Sequence, residues 1–179
     1  MKIGLLFGSF NPIHVGHMVV ANYMAEFTDL KQVWLVVSPH NPLKAKDSLA
    51  DSRKRLATVK KAVGNNPKIK VSNVEFSLPQ PSYTVHALEV VTKRYPQHKF
   101  VLIIGADILN SFHKWKDYKQ ILSRFKIYVY PRFSTLKRVE AQLKNHPSIR
   151  LINAPQIDIS STFIREQMKK GKDVRYFIA

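Results

Sequence analysis

The sequence predicts an α/β fold, a Rossmann-like open parallel sheet with helices on both faces, in a single domain over residues 1–179. Apolar runs of strand length alternate along the chain with segments of helical periodicity. The strand-like runs are apolar on both faces, which is typical of a parallel sheet covered on both sides. The glycine-, histidine- and serine-containing segments follow the strands, at the edge where such sheets bind ligands.

The order of the elements follows from the same periodicity. The predicted strands are Lys2–Phe7, Gln32–Ser38, Ile69–Val74, Phe100–Ile104, Lys126–Tyr130 and Ile149–Asn153. The predicted helices are Gly16–Phe27, Leu49–Val63, Thr84–Tyr95, Lys116–Leu122, Leu136–Lys144 and Ser161–Lys170. In the second helix, the apolar stripe that should pack on the sheet is formed by Leu49, Leu56, Val59, Ala62 and Val63.

The composition excludes several classes of protein. The chain has no cysteine, so disulfides, thiolate catalysis and cysteine-based metal sites are excluded. No apolar run approaches the roughly 18 residues of a membrane span, and no secretory leader is evident. We therefore expect a cytoplasmic protein that does not associate with a membrane, and the sequence leaves a homo-oligomer open.

The chain is strongly basic. It has 29 Lys and Arg residues against 12 Asp and Glu residues, a net charge of +17. This charge suits phosphorylated substrates, an anionic membrane surface or nucleic acid. The basic residues are spread over segments such as "SRKRLATVKK", mostly on predicted outer helix faces, so most of them should be solvated. A nucleic-acid-binding protein is the alternative from another class, but it would leave the two loops described next without a role.

The first of these loops is "GSFNPIHVGH", which lies between the first predicted strand and the first helix. Gly8 allows a ligand to approach the backbone, and Gly16 opens a helix whose free amides and dipole favour an anion. His14 and His17 are three residues apart and can face one anionic group. The segment lacks the lysine of a P-loop and the Gly-x-Gly-x-x-Gly pattern. A zinc pair would need a third ligand that the sequence does not offer.

The second loop is "ISSTFIR", which opens the last helix. It places three hydroxyls and Arg165 at a helix N-terminus, although ordinary capping needs one hydroxyl. The excess indicates a bound polyphosphate. Two anion-binding helix starts on one sheet predict a long ligand such as ATP.

These two loops resemble the G-[ST]-F-x-P-x-H-x-G-H and I-S-S-T-x-[IV]-R motifs of a nucleotidyltransferase superfamily. Over nearly its full length, the chain resembles the bacterial nicotinate-nucleotide adenylyltransferases, because the segments "PSYT", "IIGAD", "FHKW" and "PR" match that family in order. The pantetheine-phosphate branch of the superfamily is the alternative. It typically has Thr at the position of His14 and lacks "PSYT" and "FHKW". The chain departs from the nicotinate family at Asn11, where Asp is common, and at Leu43, which replaces a His.

The resemblance implies adenylyl transfer from ATP to nicotinate mononucleotide in NAD biosynthesis. Magnesium would be bound through ATP phosphates and water, with no metal held directly by side chains. The implied catalytic residues are His14, His17 and Arg165. The implied ATP-binding residues are Gly8, Ser9, Phe10, Gly105, Asp107, Ser160, Ser161 and Thr162. The implied nicotinate nucleotide-binding residues are Lys44, Tyr83, Thr84, Trp115 and Arg132.

Several of these residues also have a purely structural interpretation. Trp115 could be a core aromatic residue, although the lysines beside it favour a stacking platform at the edge of a pocket. Asp107 could cap the helix that follows it. Tyr83 and Thr84 could be turn and N-cap residues, and their binding role rests on the resemblance.

Overall fold

A parallel sheet forms the centre of the molecule in the computed structural model, which describes residues 1–40, 50–132 and 141–179. The 6-stranded sheet has the order β3-β2-β1-β4-β5-β6, and every pair of neighbouring strands is parallel. The strands are β1 (Lys2–Gly8), β2 (Gln32–Val37), β3 (Ile69–Ser72), β4 (Lys99–Gly105), β5 (Lys126–Tyr130) and β6 (Ile149–Leu151). The predicted fold class is therefore confirmed.

Helices cover both faces of this sheet. They are α1 (Val15–Phe27), α2 (Ser52–Val63), α3 (Thr84–Arg94), α4 (Ala106–Leu109), α5 (Tyr118–Arg124), α6 (Ala141–Lys144) and α7 (Ser161–Lys169). Short 3-10 turns lie at Val74–Ser77 and Phe112–Lys114. None of the helices within the described ranges is long and apolar enough to cross a bilayer.

Two apolar layers hold the helices to the sheet. Side chains alternate along β4, so Leu102 and Ile104 lie in one layer while Val101 and Ile103 lie in the other. The first layer includes buried residues of α3 and α5, and the second includes buried residues of α1 and α2. Because β4 is buried on both faces, it is apolar at every interior position, as the sequence pattern indicated.

Some element boundaries differ from the predicted ones. The third strand stops at Ser72 because a 3-10 turn begins at Val74. The second helix begins at Ser52, where Asp51 caps it by accepting a hydrogen bond of 2.9 Å from the Lys54 amide. Predicted helix starts at Leu49 and Leu136 lie outside the described residues. The four residues of α4 and the 3-10 turns are too short to leave a periodic signal.

The strand order reverses at the centre of the sheet, between β1 and β4. The chain leaves β1 toward α1 on one face and leaves β4 toward α4 on the other. Such a switch point opens a crevice at the carboxyl ends of the two strands. Gly8 and Gly105 end these strands, and both line the larger of the two clefts described below.

Candidate active site

The loop after β1 is tightly folded around one aromatic ring. Phe10 is 2% exposed and adopts a positive φ of 45°, in the left-handed region that non-glycine residues rarely occupy. Its ring covers Gly8, where a Cβ atom would lie 2.9 Å from the ring carbon Cζ. A side chain at position 8 would therefore displace the Phe10 ring. Glycine at position 8, which the sequence suggested for the approach of a ligand, is therefore also needed for the packing of the Phe10 ring.

The two histidines of the loop lie against each other at the start of α1. Their rings stack with centroids 3.7 Å apart, and the His17 ring also makes an edge-to-face contact with Phe10. The Nδ1 atom of His17 accepts a hydrogen bond of 3.3 Å from the His14 amide. This contact favours the tautomer of His17 that carries its proton on Nε2, where the proton can be donated to an anion.

His14 is buried and electrically neutral near pH 7. It is 1% exposed, and its Nδ1 atom makes no hydrogen bond within the described part of the chain. Burial, reinforced by the positive charge of Arg132, lowers the pKa of His14 from 6.5 to about 4. The site therefore holds an uncharged imidazole in the free protein, and an anionic ligand would favour its protonation.

The lowered pKa of His14 predicts a specific loss of stability in acid. In the unfolded chain the histidine takes up a proton as the pH falls through 6.5, whereas in the folded chain it remains neutral until about 4. We expect this residue to lower the free energy of unfolding by about 2 kcal/mol when the pH falls from roughly 8 to 5. Urea unfolding of the wild type and His14→Gln at both pH values checks this. Equal pH dependence in the two proteins would contradict it.

The start of α7 is attached directly to the loop after β1. Ser160 caps the helix through a 3.1 Å hydrogen bond from the Phe163 amide. The Ser161 hydroxyl donates to the Pro12 carbonyl at 3.0 Å. The Arg165 guanidinium donates to the Asn11 carbonyl at 2.7 Å and to the Thr162 hydroxyl at 3.2 Å. The two predicted anion-binding motifs are thus brought together.

Residues near the C-terminus also contact the start of α1. The Val15 amide donates a hydrogen bond of 2.9 Å to the Phe177 carbonyl, and His14 pairs with Ile178 in an antiparallel bridge. The ring of Phe177 packs edge-on against Phe163 of α7. These contacts fix the backbone on which His14 is mounted.

A small polar cleft lies beside the two histidines. It is lined by His14, Gly16, His17, Val20, Tyr130, Pro131, Arg132, Pro155, Ile157 and Ile159. Arg132 forms an ion pair of 3.5 Å with Asp107. At Gly105 a Cβ atom would lie 2.3 Å from an Asp107 carboxylate oxygen, so a side chain there would displace this carboxylate. Asp107 lies inside α4 and pairs with Arg132, and the N-cap position of that helix is Gly105.

A larger cavity opens on the other side of the β1 and β4 ends. Its wall includes Trp115, Tyr83 and Thr84, and its charged lining residues are Glu75, Lys114 and Lys116. The Lys116 ammonium group lies 4.7 Å from the centre of the Tyr83 ring. Tyr83 is the N-cap residue of α3, and no side chain caps that helix. The first turn of α3 therefore brings amides without intrahelical partners to this cavity.

Trp115 lies partly in this cavity and partly against the core. It packs on Phe112 with ring centroids 5.2 Å apart, and it lines the cavity wall. Its indole Nε1 is buried without a hydrogen-bond partner in the described ranges. Trp115 is therefore both a core aromatic residue and part of the cavity wall, where a ligand ring could stack on it.

The predicted site residues divide between the two clefts. Tyr83, Thr84 and Trp115 line the larger cavity, whereas Arg132 lines the small cleft with the histidines. The resemblance implies that Arg132 binds the nicotinate nucleotide together with Tyr83, Thr84 and Trp115. Lys44 and Leu43 lie outside the described residues.

Two buried charged residues were not recognised in the sequence. Arg55 belongs to a basic segment predicted to be mostly solvated, yet it is 3% exposed. Its spacing from Val59 and Val63 matches the buried helix face, a signal that could have identified it. Glu75 is 2% exposed in the wall of the larger cavity, and burial raises the pKa of its carboxyl. No pattern in the sequence marked Glu75.

Comparisons with known proteins show the family to which the chain belongs. Residues 5–167 match the cytidylyltransferase-like family. A protein of Flavobacterium johnsoniae named a probable nicotinate-nucleotide adenylyltransferase is 54% identical over 98% of this chain and 90% of its own length. One of the same name from Cytophaga hutchinsonii is 51% identical over 100% of this chain and 92% of its own length.

A solved structure shares the fold at much lower identity. The Plasmodium falciparum nicotinic acid mononucleotide adenylyltransferase complexed with NaAD superposes with a TM-score of 0.82 at 21% identity, covering 97% of this chain and 87% of that one. The resemblance stated from the sequence is confirmed by the relatives of higher identity. This chain belongs to the cytidylyltransferase-like family and, within it, to the nicotinate-nucleotide adenylyltransferases.

Proposed function

We propose that this protein transfers the adenylyl group of ATP to nicotinate mononucleotide, releasing pyrophosphate and forming nicotinate adenine dinucleotide. The observation that carries the proposal is the pair of clefts at the carboxyl ends of β1 and β4. The small cleft holds His14, His17 and Arg132, which suit phosphate, and the larger cavity holds aromatic rings, which suit a pyridine.

In this arrangement the small cleft takes ATP and the larger cavity takes the mononucleotide. The start of α7, with Ser161, Thr162 and Arg165 beside the loop after β1, extends the phosphate-binding surface. We assign Arg132 to the ATP side because it lines the cleft of the histidines. The full-length relatives named nicotinate-nucleotide adenylyltransferases support the choice of acceptor.

The reaction requires little covalent chemistry from the protein. The 5′-phosphate of the mononucleotide attacks the α-phosphorus of ATP in line, and the α–β phosphoanhydride bond breaks to release pyrophosphate. The attacking oxygen is already ionised, so no general base is needed. Catalysis then consists of holding both phosphates in position and stabilising the charge on the transferring group. Hydrogen bonds from His17 and Arg165 supply that stabilisation.

We propose that magnesium enters with ATP as part of the substrate. The side chains around the small cleft are nitrogen donors such as His14, His17 and Arg132, a set suited to phosphate oxygens more than to Mg²⁺. In the described ranges, no three His, Asp or Glu side chains gather as a ligand group. The metal would be held through ATP phosphates and water. Since both substrates are intracellular metabolites, a cytoplasmic location is part of the same proposal.

Pyrophosphate release tests the proposed function. The protein is incubated with Mg²⁺-ATP and one acceptor at a time: nicotinate mononucleotide, nicotinamide mononucleotide or phosphopantetheine. We expect turnover with the first acceptor and formation of the dinucleotide in equal amount with pyrophosphate. Turnover with phosphopantetheine alone would assign the protein to the pantetheine-phosphate branch, and the absence of turnover with every acceptor would refute adenylyl transfer.

Trp115 is expected to contribute to binding of the mononucleotide and not of ATP. Replacing it with alanine removes a ring from the cavity wall, and loss of base–aromatic stacking typically costs roughly 1–3 kcal/mol. Trp115→Ala should therefore raise KM for the mononucleotide about fivefold or more, with KM for ATP nearly unchanged. Steady-state kinetics with each substrate varied measures the two values. Equal losses for both substrates, or a large fall in melting temperature, would mark Trp115 as a core residue.

A further inference from the structure

Arg55 of α2 is a buried cation whose hydrogen bonds go to the backbone. Its guanidinium donates to the carbonyl oxygens of Ser9, Ser38 at 2.9 Å, Pro39 at 2.7 Å and Ala50 at 2.9 Å. Within the described ranges it forms no ion pair. Burying an arginine in this way is costly unless its donors are satisfied, and here backbone carbonyls satisfy them.

The carbonyls that Arg55 binds belong to both sides of the active site. Ser9 begins the loop that leads from β1 to the histidines of the small cleft. Ser38 follows β2 and lines the larger cavity. One planar side chain thus joins the ends of two neighbouring strands. The loop after β1 leads to the small cleft, and Ser38 after β2 lines the larger cavity.

The contact with Ser9 also orients the peptide that follows. In a trans peptide the carbonyl and the next amide point in opposite directions, so fixing the Ser9 carbonyl fixes the Phe10 N–H on the side away from Arg55. This amide lies in the strained residue of the loop, where φ is positive. Arg55 therefore restrains the backbone next to a residue whose positive φ has to be held by its surroundings.

We propose that Arg55 is a positioning residue that holds the ATP cleft and the mononucleotide cavity in register. The inference rests on the proposed function. In-line transfer requires the two substrate phosphates to meet, and a displacement of about 1 Å can cost up to 10²-fold in rate. The guanidinium of Arg55 binds backbone carbonyls and does not line either cleft. Its loss should therefore lower kcat more than it weakens binding of either substrate.

Arg55→Lys tests this proposal. Lysine keeps the positive charge but offers one compact ammonium group in place of a planar fork, so it cannot span the same carbonyls. We expect kcat to fall by about tenfold or more, with both KM values within about threefold of wild type. Hydrogen exchange in residues 8–14 and 36–40 should become faster. Arg55→Met, which removes every donor, should lose more activity than Arg55→Lys.

Val59→Ala is the matched control, because Val59 lies one turn further along the buried face of α2 and is 0% exposed. This variant should lower the melting temperature and leave kcat and the exchange of the two segments unchanged. The proposal is overturned if kcat of Arg55→Lys stays within threefold of wild type, if Val59→Ala loses kcat equally, or if neither Arg55 variant folds. An inactive wild type would refute the proposed function instead, and unchanged exchange in Arg55→Lys would then overturn the positioning role.

Discussion

His17→Ala is expected to lower kcat by at least about 10² while the protein remains folded. The Nδ1 atom of His17 accepts a hydrogen bond from the His14 amide, which leaves the proton on Nε2 available to an anionic ligand. A donor that is already oriented stabilises developing charge without reorganising at the moment of reaction. Alanine removes this donor, and water cannot be held at the same place with the same direction. Single-turnover and steady-state measurements of pyrophosphate release give the loss.

His98→Ala is the control for this experiment. His98 precedes β4 at the opposite end of the sheet, and it contacts the N-terminal amine and neighbouring aromatic rings. The same substitution there should leave kcat within about twofold of wild type. Circular dichroism and melting temperature confirm that His17→Ala is folded. Activity of His17→Ala within a few-fold of wild type would refute the role of the histidine pair at the phosphate.

The second large effect concerns the choice of acceptor. We expect kcat/KM for nicotinate mononucleotide to exceed that for nicotinamide mononucleotide by at least about tenfold. The amides at the start of α3 and the ammonium groups of Lys114 and Lys116 favour a carboxylate at the larger cavity. The amide substrate would lose the charge-assisted hydrogen bond and would direct an N–H group toward a donor. Both mononucleotides are compared at equal ionic strength.

Lys116→Met should reduce this preference, because it removes a positive charge while keeping an apolar chain against the Tyr83 ring. Lys119→Met is the matched control, since Lys119 is exposed on α5 and does not line the cavity. If the protein uses both mononucleotides equally, or prefers the amide, the nicotinate assignment is wrong and adenylyl transfer still stands. If both lysine variants reduce the preference equally, general electrostatic attraction explains it.

The fold could be predicted because its strands are buried on both faces. Burial makes β1, β2, β4 and β5 nearly uniform in hydrophobicity, so each is visible as an apolar run. The sequence does not reveal the strand order by periodicity, and it misses α4, which has 4 residues and makes about one turn. Element boundaries shifted where capping by Asp51 or a 3-10 turn decided the end.

The site was predicted in part because its motifs lie at the ends of strands. The rule for ligand binding in parallel sheets brings the loop after β1 close to the start of α7, and the contacts of Ser161 and Arg165 agree with this. The rule does not say on which side of β4 a residue lies, so it does not reveal that Arg132 lines the small cleft while Tyr83, Thr84 and Trp115 line the larger cavity. The spacing of Arg55 from Val59 and Val63 indicates burial, but the sequence does not show the backbone carbonyls that satisfy its donors.

The contact between α7 and the loop after β1 has a consequence for synthesis on the ribosome. Ser161 and Pro12 are 149 positions apart, and Arg165 and Asn11 are 154 apart. At a translation rate of roughly 5–20 residues per second, the loop emerges on the order of ten seconds before its partners are made. During that interval the nascent chain lacks the Ser161 hydroxyl and the Arg165 guanidinium that bind the carbonyls of this loop. The loop after β1 therefore reaches its final contacts only after α7 has been synthesised and has docked on it.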